Sequence, residues 1–287
     1  MNIILFGFTG LGNAVLRGLF KSNNVRVKSV FTKKYSSPYP YYNEVQMEEL
    51  CERENIACYI DKKVNCVEVI DLIKKSEPDL IVVASFSQII SKEIIEIPKL
   101  GIVNLHPSLL PKYRGPYPDQ GVLLNNEKET GITIHYLTEK LDSGNIILQK
   151  RFDLCSDENY SALKKRISEL SEEMITEVIE LFRNGSKPKG TVQKESEATY
   201  FPKPKTEDGY IENDMDIELI KTKVKALNPF PGTSILVNGI RIDVDNYKLI
   251  NSSDSGDSVI EEDNFVDVHN TSGSIRLLKK KKDQQFN

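Results

Sequence analysis

The sequence predicts an α/β fold, with a Rossmann-like, mainly parallel sheet flanked by helices and a small, mostly β domain after it. Over the first two hundred residues, short apolar runs alternate with amphipathic stretches. The run Asp79–Ala84 is continuously apolar after its first residue, which is typical of a strand buried on both faces. Near residue 186 the chain becomes rich in Lys, Pro and Gly, as linkers are. We therefore expect a large domain over residues 1–185, a linker over residues 186–205 and a small β-rich domain over residues 206–287.

The elements of the large domain follow in order along the chain. Asn2–Phe6 predicts the first strand, and an apolar stripe from Leu11 to Leu19 predicts the first helix. Further strands are expected at Arg26–Phe31, Ile56–Ile60, Asp79–Ala84 and Gly101–Leu105, with helices at Asn43–Asn55 and around Val67–Ile73. Strand and helix in alternation indicate a parallel sheet.

A hairpin and a long helix complete the large domain. The alternating segments Gly131–Leu137 and Asn145–Phe152 predict two paired strands, and Thr138–Gly144 forms the turn between them. The clearest helix in the chain runs from about Tyr160 to Arg183, with apolar residues at helical spacing. Asn184-Gly185 is expected to end it in a left-handed conformation.

The small domain has shorter patterns. Ile217–Ala226 predicts a helix, and Asn238-Gly239 predicts a hairpin turn between short strands. Ser252–Asp257 reads as a flexible loop, because it consists of Ser, Asp and Gly. The last residues, 277–287, include four consecutive lysines and are expected to form a frayed tail.

Charge and composition exclude several classes of protein. The net charge is -4 and the isoelectric point about 5.6, whereas a dedicated duplex-binding protein usually has a basic excess. The apolar runs are far shorter than the roughly 20 residues of a membrane span, and the apolar start lacks the basic segment of a signal peptide. Four cysteines without a CxxC pair indicate reduced thiols in the cytoplasm. No metal site is expected, because none of the three histidines lies at ligand spacing from a cysteine.

Three glycines follow the first strand, at Gly7, Gly10 and Gly12. Their spacing differs from the G-x-G-x-x-G of dinucleotide folds, and Phe31-Thr32-Lys33 ends the second strand without the acid that would bind a ribose. An NAD-dependent oxidoreductase is therefore disfavoured, and the lack of a G-x-x-x-x-G-K-[ST] motif excludes a P-loop NTPase. The turn either binds an anion through backbone N–H groups or allows tight packing of helix on strand, and both interpretations stay open.

A candidate site begins at the carboxyl end of a buried strand, where ligands bind in open α/β sheets. Asn104 and His106 are two residues apart on that strand and therefore point to the same side. An amide can donate to an oxyanion, and an imidazole can donate or exchange a proton near neutral pH. His135 and His269 are expected to be ordinary core or surface histidines. Asp142, before Ser-Gly, is on spacing alone an ordinary turn residue.

Taken together, three motifs resemble those of the N10-formyltetrahydrofolate-dependent formyltransferase family. They are Asn104-x-His106-Pro107-Ser108-Leu109-Leu110-Pro111-x-x-Arg114-Gly115, Thr130-Gly131-x-Thr133-Ile134-His135 and Leu141-Asp142-Ser143-Gly144. The resemblance covers about residues 1–205, and the rest resembles, more weakly, the small β domain of methionyl-tRNA formyltransferases. It implies a cytoplasmic enzyme that takes N10-formyltetrahydrofolate as co-substrate and needs no metal.

The resemblance also implies roles for particular residues. Asn104, His106 and Asp142 would be the catalytic trio, with Asn104 and His106 as oxyanion donors. Asp142 would accept the proton of the attacking amine or hold His106 protonated. The pterin of the folate would lie between the loops Ser85–Ile90 and Leu137–Asp142. The residues implied for the folate are Phe86, Ser87, Gln88, Ile89, Leu137 and Leu141, and those implied for the amine acceptor are Phe8, Gly10, Lys33 and Tyr41.

The identity of the acceptor stays open at this point. Family members that formylate tRNA carry a long basic insertion after the second strand, whereas residues 32–42 here hold two lysines and four tyrosines. This short aromatic segment favours a nucleotide-linked amino sugar, with methionyl-tRNA as the alternative and glycinamide ribonucleotide third. A non-enzymatic carbohydrate- or nucleotide-binding module is the rival class, which the intact trio disfavours. Several oligomeric states are compatible with the sequence, a homodimer among them.

Overall fold

The large sheet contains seven strands. A computed structural model describes residues 1–8, 10–34, 45–251 and 257–281 of the chain. The strands are Asn2–Gly7 (β1), Arg26–Thr32 (β2), Ala57–Ile60 (β3), Leu80–Ala84 (β4), Ile102–His106 (β5), Glu129–Tyr136 (β6) and Ile146–Asp153 (β7). They are ordered β3-β2-β1-β4-β5-β6-β7. The first five are parallel, and β6 and β7 extend the sheet as an antiparallel hairpin.

Helices cover both faces of this sheet. They are Leu11–Lys21 (α1), Met47–Arg53 (α2), Val67–Lys75 (α3), Lys92–Ile95 (α4), Pro118–Leu124 (α5) and Tyr160–Leu181 (α6). Strand β1 shows why two cores form, because its side chains alternate between the faces. Ile3 and Leu5 pack in the core that contains α1 and α6, whereas Ile4 and Phe6 pack in the core that contains α3 and α4.

The second sheet contains six strands and is mostly antiparallel. The strands are Tyr210–Ile211 (β8), Thr233–Val237 (β9), Ile240–Leu249 (β10), Ser258–Glu261 (β11), Phe265–Asn270 (β12) and Gly273–Lys279 (β13), in the order β11-β12-β13-β10-β9-β8. The helix Ile217–Leu227 (α7) supplies Ile217, Ile220 and Val224 to its core. This part contacts the large sheet's helices where the Gln120 amide of α5 donates to the carbonyl of Ala226, at 3.1 Å.

The predicted fold class is confirmed, and the strands and helices lie close to their expected positions. Asn184 and Gly185 follow α6 and adopt the expected left-handed conformation, with φ values of 59° and 74°. Asn238 and Gly239 form the expected turn between β9 and β10. The helix expected at Asn43–Asn55 is shorter where it is described. It begins at Met47, after the extended Gln46, and it ends at Arg53.

The expectation that residues 277–287 form a frayed tail is wrong for its first part. Leu277 is fully buried and pairs with both β10 and β12. The backbone N–H of Lys280 still donates to the carbonyl of Asp243, at 3.0 Å. The reason is that Ile275 and Leu277 alternate with more exposed residues, so the strand pattern continues up to the lysines. Most of the loop expected at 252–257, and the chain after residue 281, lie outside the described residues.

The bounds 1–185, 186–205 and 206–287 stay a prediction for the domains and the linker. No helix of the described residues is long and apolar enough to cross a membrane.

Candidate active site

The carboxyl ends of the parallel strands meet at one edge of the large sheet. The strand order reverses between β1 and β4, which lie side by side at its centre. Phe8 follows β1 and Phe86 follows β4, and the centroids of the two rings are 6.0 Å apart. Open α/β sheets bind ligands at such a reversal, outside the carboxyl ends of the strands. A ligand-binding site is therefore expected at this edge.

Three polar residues predicted for the site converge beside this edge. Asn104 and His106 belong to β5, and Asp142 belongs to the loop between β6 and β7. The Oδ2 atom of Asp142 lies 3.7 Å from Nδ1 of His106. Its Oδ1 atom lies 3.7 Å from Nε2 of His135, and Nδ2 of Asn104 lies 3.2 Å from that same nitrogen. The trio therefore forms one cluster, with His135 between Asn104 and Asp142.

His135 is buried, as a core histidine is expected to be, but it is also a member of this cluster. Antiparallel pairing puts it directly opposite Asn104. Its Nδ1 lies 2.8 Å from the carbonyl oxygen of Tyr136, so Nδ1 carries the hydrogen and Nε2 accepts from Asn104. Burial, and then the nearby His106, lower the pKa of His135 to about 4. The neutral ring fixes the Asn104 amide and leaves its second N–H for another acceptor.

His106 is oriented by its other ring nitrogen. Its Nε2 lies 2.7 Å from the carbonyl oxygen of Tyr113, which can only accept, so Nε2 carries a hydrogen and Nδ1 faces Asp142. The side chains of His106 and Asp142 are only 5% and 10% exposed. The pair can therefore hold a proton at Nδ1 or accept one at the carboxylate.

Backbone groups direct the Asp142 side chain toward the cluster. The loop between β6 and β7 begins beside the first residue of β5, where the Leu137 N–H donates to the Ile102 carbonyl at 2.8 Å. It then returns toward the last residue of β5, so that Asp142 lies beside His106. Asp142 itself has a φ of 47°, which Asp tolerates in turns. The N–H of Gly115 donates to Oδ2 at 2.8 Å. As expected from its spacing, Asp142 is a turn residue, but its carboxylate points into the protein beside two histidines.

The residues predicted for the folate lie on two loops that are neighbours in space. Lys92, two residues after the first loop, forms an ion pair with Glu139 of the second, at 3.4 Å. Phe86 and Leu137 both pack against the core on the α3 side of the sheet. Ile89 and Leu141 are 87% and 57% exposed on these two neighbouring loops. Apolar surface of this kind is available to a flat ligand between the loops.

In the first loop, Gln88 binds the backbone of residues 62–64. The Gln88 amide donates to the Lys62 carbonyl at 2.7 Å, and its oxygen accepts from the Val64 N–H at 3.1 Å. Ser87 is exposed. A cavity of about 580 Å³ adjoins the second loop, with Ile102, Leu137 and Ser143 in its wall. Gly101 and Ile102 place this cavity at the amino end of β5, and neither the loop 85–90 nor the Asn104, His106 and Asp142 cluster lines it.

The described residues predicted for the acceptor follow β1 and β2, and the ring centroid of Phe8 lies 6.0 Å from that of Phe86 on the first folate loop. Phe8 is half-buried, and its N–H donates to the Ala84 carbonyl at 3.3 Å. Gly10 precedes α1 with a φ of 95°. Lys33 is exposed and directly follows β2 at the same edge of the sheet. Tyr41 lies outside the described residues.

The glycine turn is explained at least in part by packing. A Cβ atom on Gly12 would lie 2.5 Å from Cε of Met47 and 3.1 Å from the backbone of Gly7. A side chain at position 12 would therefore displace the end of the Met47 side chain and press on the backbone of β1. Anion binding by the same turn stays a prediction.

Two members of the site, Gln193 and His135, are not predicted from the sequence. Gln193 lies in the predicted linker but is only 6% exposed. Its Nε2 donates to the carbonyls of Asp142 and Gly144, at 2.7 and 2.8 Å. A single buried Gln in a polar segment produces no periodic pattern, so no signal could have found it. For His135 a signal exists, because it ends one of the quoted motifs and a hairpin beside β5 brings it opposite Asn104.

This arrangement is suited to acyl transfer. Asn104 can donate its second N–H to an oxyanion, and His106 can donate from Nδ1 when it is protonated, because its Nε2 hydrogen is used by the Tyr113 carbonyl. Asp142 can accept a proton from a nucleophile. Among the described residues, no group of three or more His, Cys, Asp or Glu side chains could hold a metal ion.

Comparison with known proteins agrees with this chemistry. A family model described as formyl transferase matches residues 1–179. A methionyl-tRNA formyltransferase of Thermotoga maritima is 32% identical over 275 residues, which are 93% of this chain and 84% of that protein.

Two solved structures share the fold at 19% identity. WlaRD, a sugar 3N-formyl transferase, has a TM-score of 0.71 and is matched over 98% of both chains. An N-formyltransferase from Helicobacter canadensis has a TM-score of 0.69, over 97% of this chain and 99% of that one. The resemblance seen in the motifs and the expectation of an enzyme are thereby confirmed, and the chain belongs to the formyl transferase family.

Proposed function

We propose that the protein transfers a formyl group from N10-formyltetrahydrofolate to the primary amine of a nucleotide-linked amino sugar. Membership of the formyl transferase family supports the formyl transfer. The observation that carries the mechanism is the buried cluster of Asn104, His106 and Asp142, in which donors and a proton acceptor face one another.

The cluster supports a direct transfer. The neutral amine attacks the formyl carbon, and a C–N bond forms while the carbonyl electrons move to oxygen. Asn104, through the N–H that His135 does not use, and protonated His106 stabilise this oxyanion. Asp142 accepts the proton that the amine nitrogen loses, directly or through a water. The electrons on the oxyanion then re-form the carbonyl while the bond from the formyl carbon to N10 breaks. N10 takes up the proton that Asp142 accepted, directly or through a water, and the products are a formamide and tetrahydrofolate.

The folate is assigned to the cleft between the loops 85–90 and 137–142. Exposed Ile89 and Leu141 offer apolar contact to a pterin ring, and the ion pair of Lys92 with Glu139 keeps the loops together. Phe86, Ser87, Gln88 and Leu137 complete this assignment.

A sugar nucleotide is supported by the chemistry at the ends of β1 and β2. Lys33 and Lys34 follow β2 and are exposed at the edge where Phe8 and the glycine turn lie. Ammonium groups suit a diphosphate, and an aromatic ring suits a base or sugar. The connection from Thr32 to α2 is short, and its sequence is rich in Tyr rather than Arg.

Methionyl-tRNA is the second candidate acceptor. The relative from Thermotoga maritima carries that activity in its name, and its similarity extends over 93% of this chain, including most of the second sheet. A tRNA acceptor requires many phosphate contacts, so its binding should weaken steeply with salt.

The deciding experiment offers both acceptors to the enzyme with N10-formyltetrahydrofolate. A thermal-shift screen with dTDP-, UDP- and GDP-linked amino sugars first identifies a ligand, because ligands of the native state raise its stability. We expect formylation of an amino sugar, with little change between roughly 50 and 200 mM salt, and none of methionyl-tRNA. Efficient formylation of methionyl-tRNA with no sugar formylated would reverse the assignment.

A lysine pair tests the acceptor side directly. Lys33→Ala should raise KM for the sugar nucleotide several-fold and leave kcat unchanged, because it removes binding far from the reacting carbon. Lys99→Ala is the matched control, since Lys99 is exposed but precedes β5 at the opposite edge of the sheet. An equal effect of both substitutions would contradict a specific role for Lys33.

A further inference from the structure

We propose that Gln193 is a positioning residue for formyl transfer, which fixes the loop of Asp142 and thereby sets the place of its carboxylate. The inference rests on the proposed function, because it takes Asp142 as the proton acceptor. Gln193 lies in the stretch between the two sheets that the sequence marks only as a linker.

The Gln193 side chain uses its whole amide. Its Nε2 donates to the carbonyl oxygens of Asp142 and Gly144, at 2.7 and 2.8 Å. Its Oε1 accepts from Nε and Nη2 of Arg114, at 3.2 and 2.8 Å. Gln193 is 6% exposed, whereas its neighbour Val192 is 76% exposed. The Gln193 side chain therefore points inward and binds the last part of the turn, at Asp142 and Gly144.

Arg114 provides a fixed base for this contact. It is 7% exposed, and its guanidinium also donates to both carboxylate oxygens of Glu195, at 3.2 and 2.8 Å. Hydrogen bonds from Arg114, and then from Lys140, lower the pKa of Glu195 to about 2, so this carboxylate stays charged. Lys140 belongs to the Asp142 loop, so the segment from 193 to 195 holds that loop at two points.

Residues 193–201, which we call the strap, also hold the groups that bind His106 and Asp142. The strap runs beside residues 113–115: Arg114 N–H donates to the Thr199 carbonyl and Phe201 N–H donates to the Arg114 carbonyl, both at 2.8 Å. Tyr113, whose carbonyl binds His106, donates its own N–H to Oγ1 of Thr199 at 2.8 Å. Gly115, which binds the Asp142 carboxylate, is next along the chain. The strap therefore contacts the supports of both His106 and Asp142. Thr199 binds Tyr113, which orients His106, and Gln193 binds the backbone of the Asp142 loop.

The chemistry of an amide is required at position 193, because it must donate on one side and accept on the other. Gln193→Glu keeps the size and the pairing with Arg114, but its carboxylate faces two carbonyl oxygens to which it cannot donate. Gln193→Met keeps the approximate volume of the side chain without its amide. It replaces Gln193→Glu in the test if that variant folds poorly. Val192→Ala is the control, since it changes an exposed side chain at the adjacent position.

The kinetic test is a double-mutant cycle with Asp142→Asn. We expect Gln193→Glu to lower kcat by about 10- to 100-fold, because a small displacement of a reacting group has an effect of this size. KM for the folate should change little, and the control should match the wild type. In the Asp142→Asn background the same substitution should change kcat by less than about threefold, since its effect passes through the Asp142 carboxylate. Additive losses in the cycle would overturn the proposal.

A second measurement does not depend on the acceptor. The chain has only three histidines, so the ring carbon signals of His106, His135 and His269 can be resolved by NMR. Gln193→Glu should shift the signals of His106 and His135, which face Asp142, and leave that of His269 in the second sheet unchanged. Unchanged signals of His106 and His135 would refute the positioning role. Lack of activity in the wild type with every acceptor would instead refute the proposed function, while the NMR result still decides the role of Gln193.

Discussion

Replacement of Asn104 by alanine removes one amide that acts in two ways. One of its N–H groups donates to Nε2 of His135, at 3.2 Å, and the other is the proposed donor to the oxyanion. Loss of an oxyanion donor lowers kcat by about 10²–10³, or roughly 3–4 kcal/mol at the transition state. His135 is 1% exposed, so its Nε2 is left without a donor and the free energy of unfolding falls by about 1–3 kcal/mol.

The two effects are measured separately. Single-turnover release of tetrahydrofolate gives the chemical step, and urea denaturation gives the stability. KM for the folate should stay nearly the same, because the loops 85–90 and 137–142 are intact. Asn270→Ala is the control, since its amide donates to the carbonyls of Asn213 and Met215, at 3.2 and 2.8 Å, in the second sheet. It should lose stability without losing kcat. Wild-type turnover in Asn104→Ala would remove Asn104 from the mechanism.

Three further outcomes are expected. Asp142→Asn keeps the shape of the side chain but cannot accept a proton, so kcat should fall by about 10²–10⁴ while folate binding measured by titration persists. Between its ordinary pKa of 6.5 and about 4, His135 takes up a proton only in the unfolded chain, so the free energy of unfolding falls as the pH drops through this range. The urea midpoints at about pH 7 and pH 5 should therefore differ less in His135→Gln than in the wild type. An equal difference in both proteins would exclude His135 as the cause. Gly131→Ala should lower the unfolding free energy by about 3 kcal/mol or more, because its Cβ would lie 2.2 Å from the Lys150 carbonyl oxygen. Gly239→Ala, at a φ of 79° with no atom within 4 Å, should cost only about 1 kcal/mol by the same measurement.

The sequence was informative wherever a local period decides the structure. Asn104 and His106 could be predicted to share a face because a strand repeats every two residues, and the buried run identified the strand. Asp142 could be connected to them only through the resemblance, because nothing in an Asp-Ser-Gly turn tells where its carboxylate points. That direction is set by Gly115, a residue from a different loop.

Long-range contacts explain what the sequence could not provide. His135 joins the cluster through the register of β5 with β6, which pairs it with Asn104, and hydrophobic alternation does not specify the partner of a given residue. Gln193 is surrounded by polar, exposed residues, so composition predicts a linker there. The burial of Leu277 was obscured by the lysines that follow it, although the apolar alternation that starts at Ile275 was already present.

The course of the strap has a consequence for where this enzyme can be divided. A protein cut at residue 185, where composition places the end of the large domain, would keep every strand of the large sheet and all of α6. It would lose Gln193 and Thr199, and with them the contacts that hold Asp142, Tyr113 and Arg114. The smallest piece that keeps the Asn104, His106 and Asp142 cluster with all contacts of the strap therefore extends through Phe201. Chimeras that exchange the second sheet between relatives should be joined after that residue, because a junction nearer to α6 would separate the reacting groups from their support.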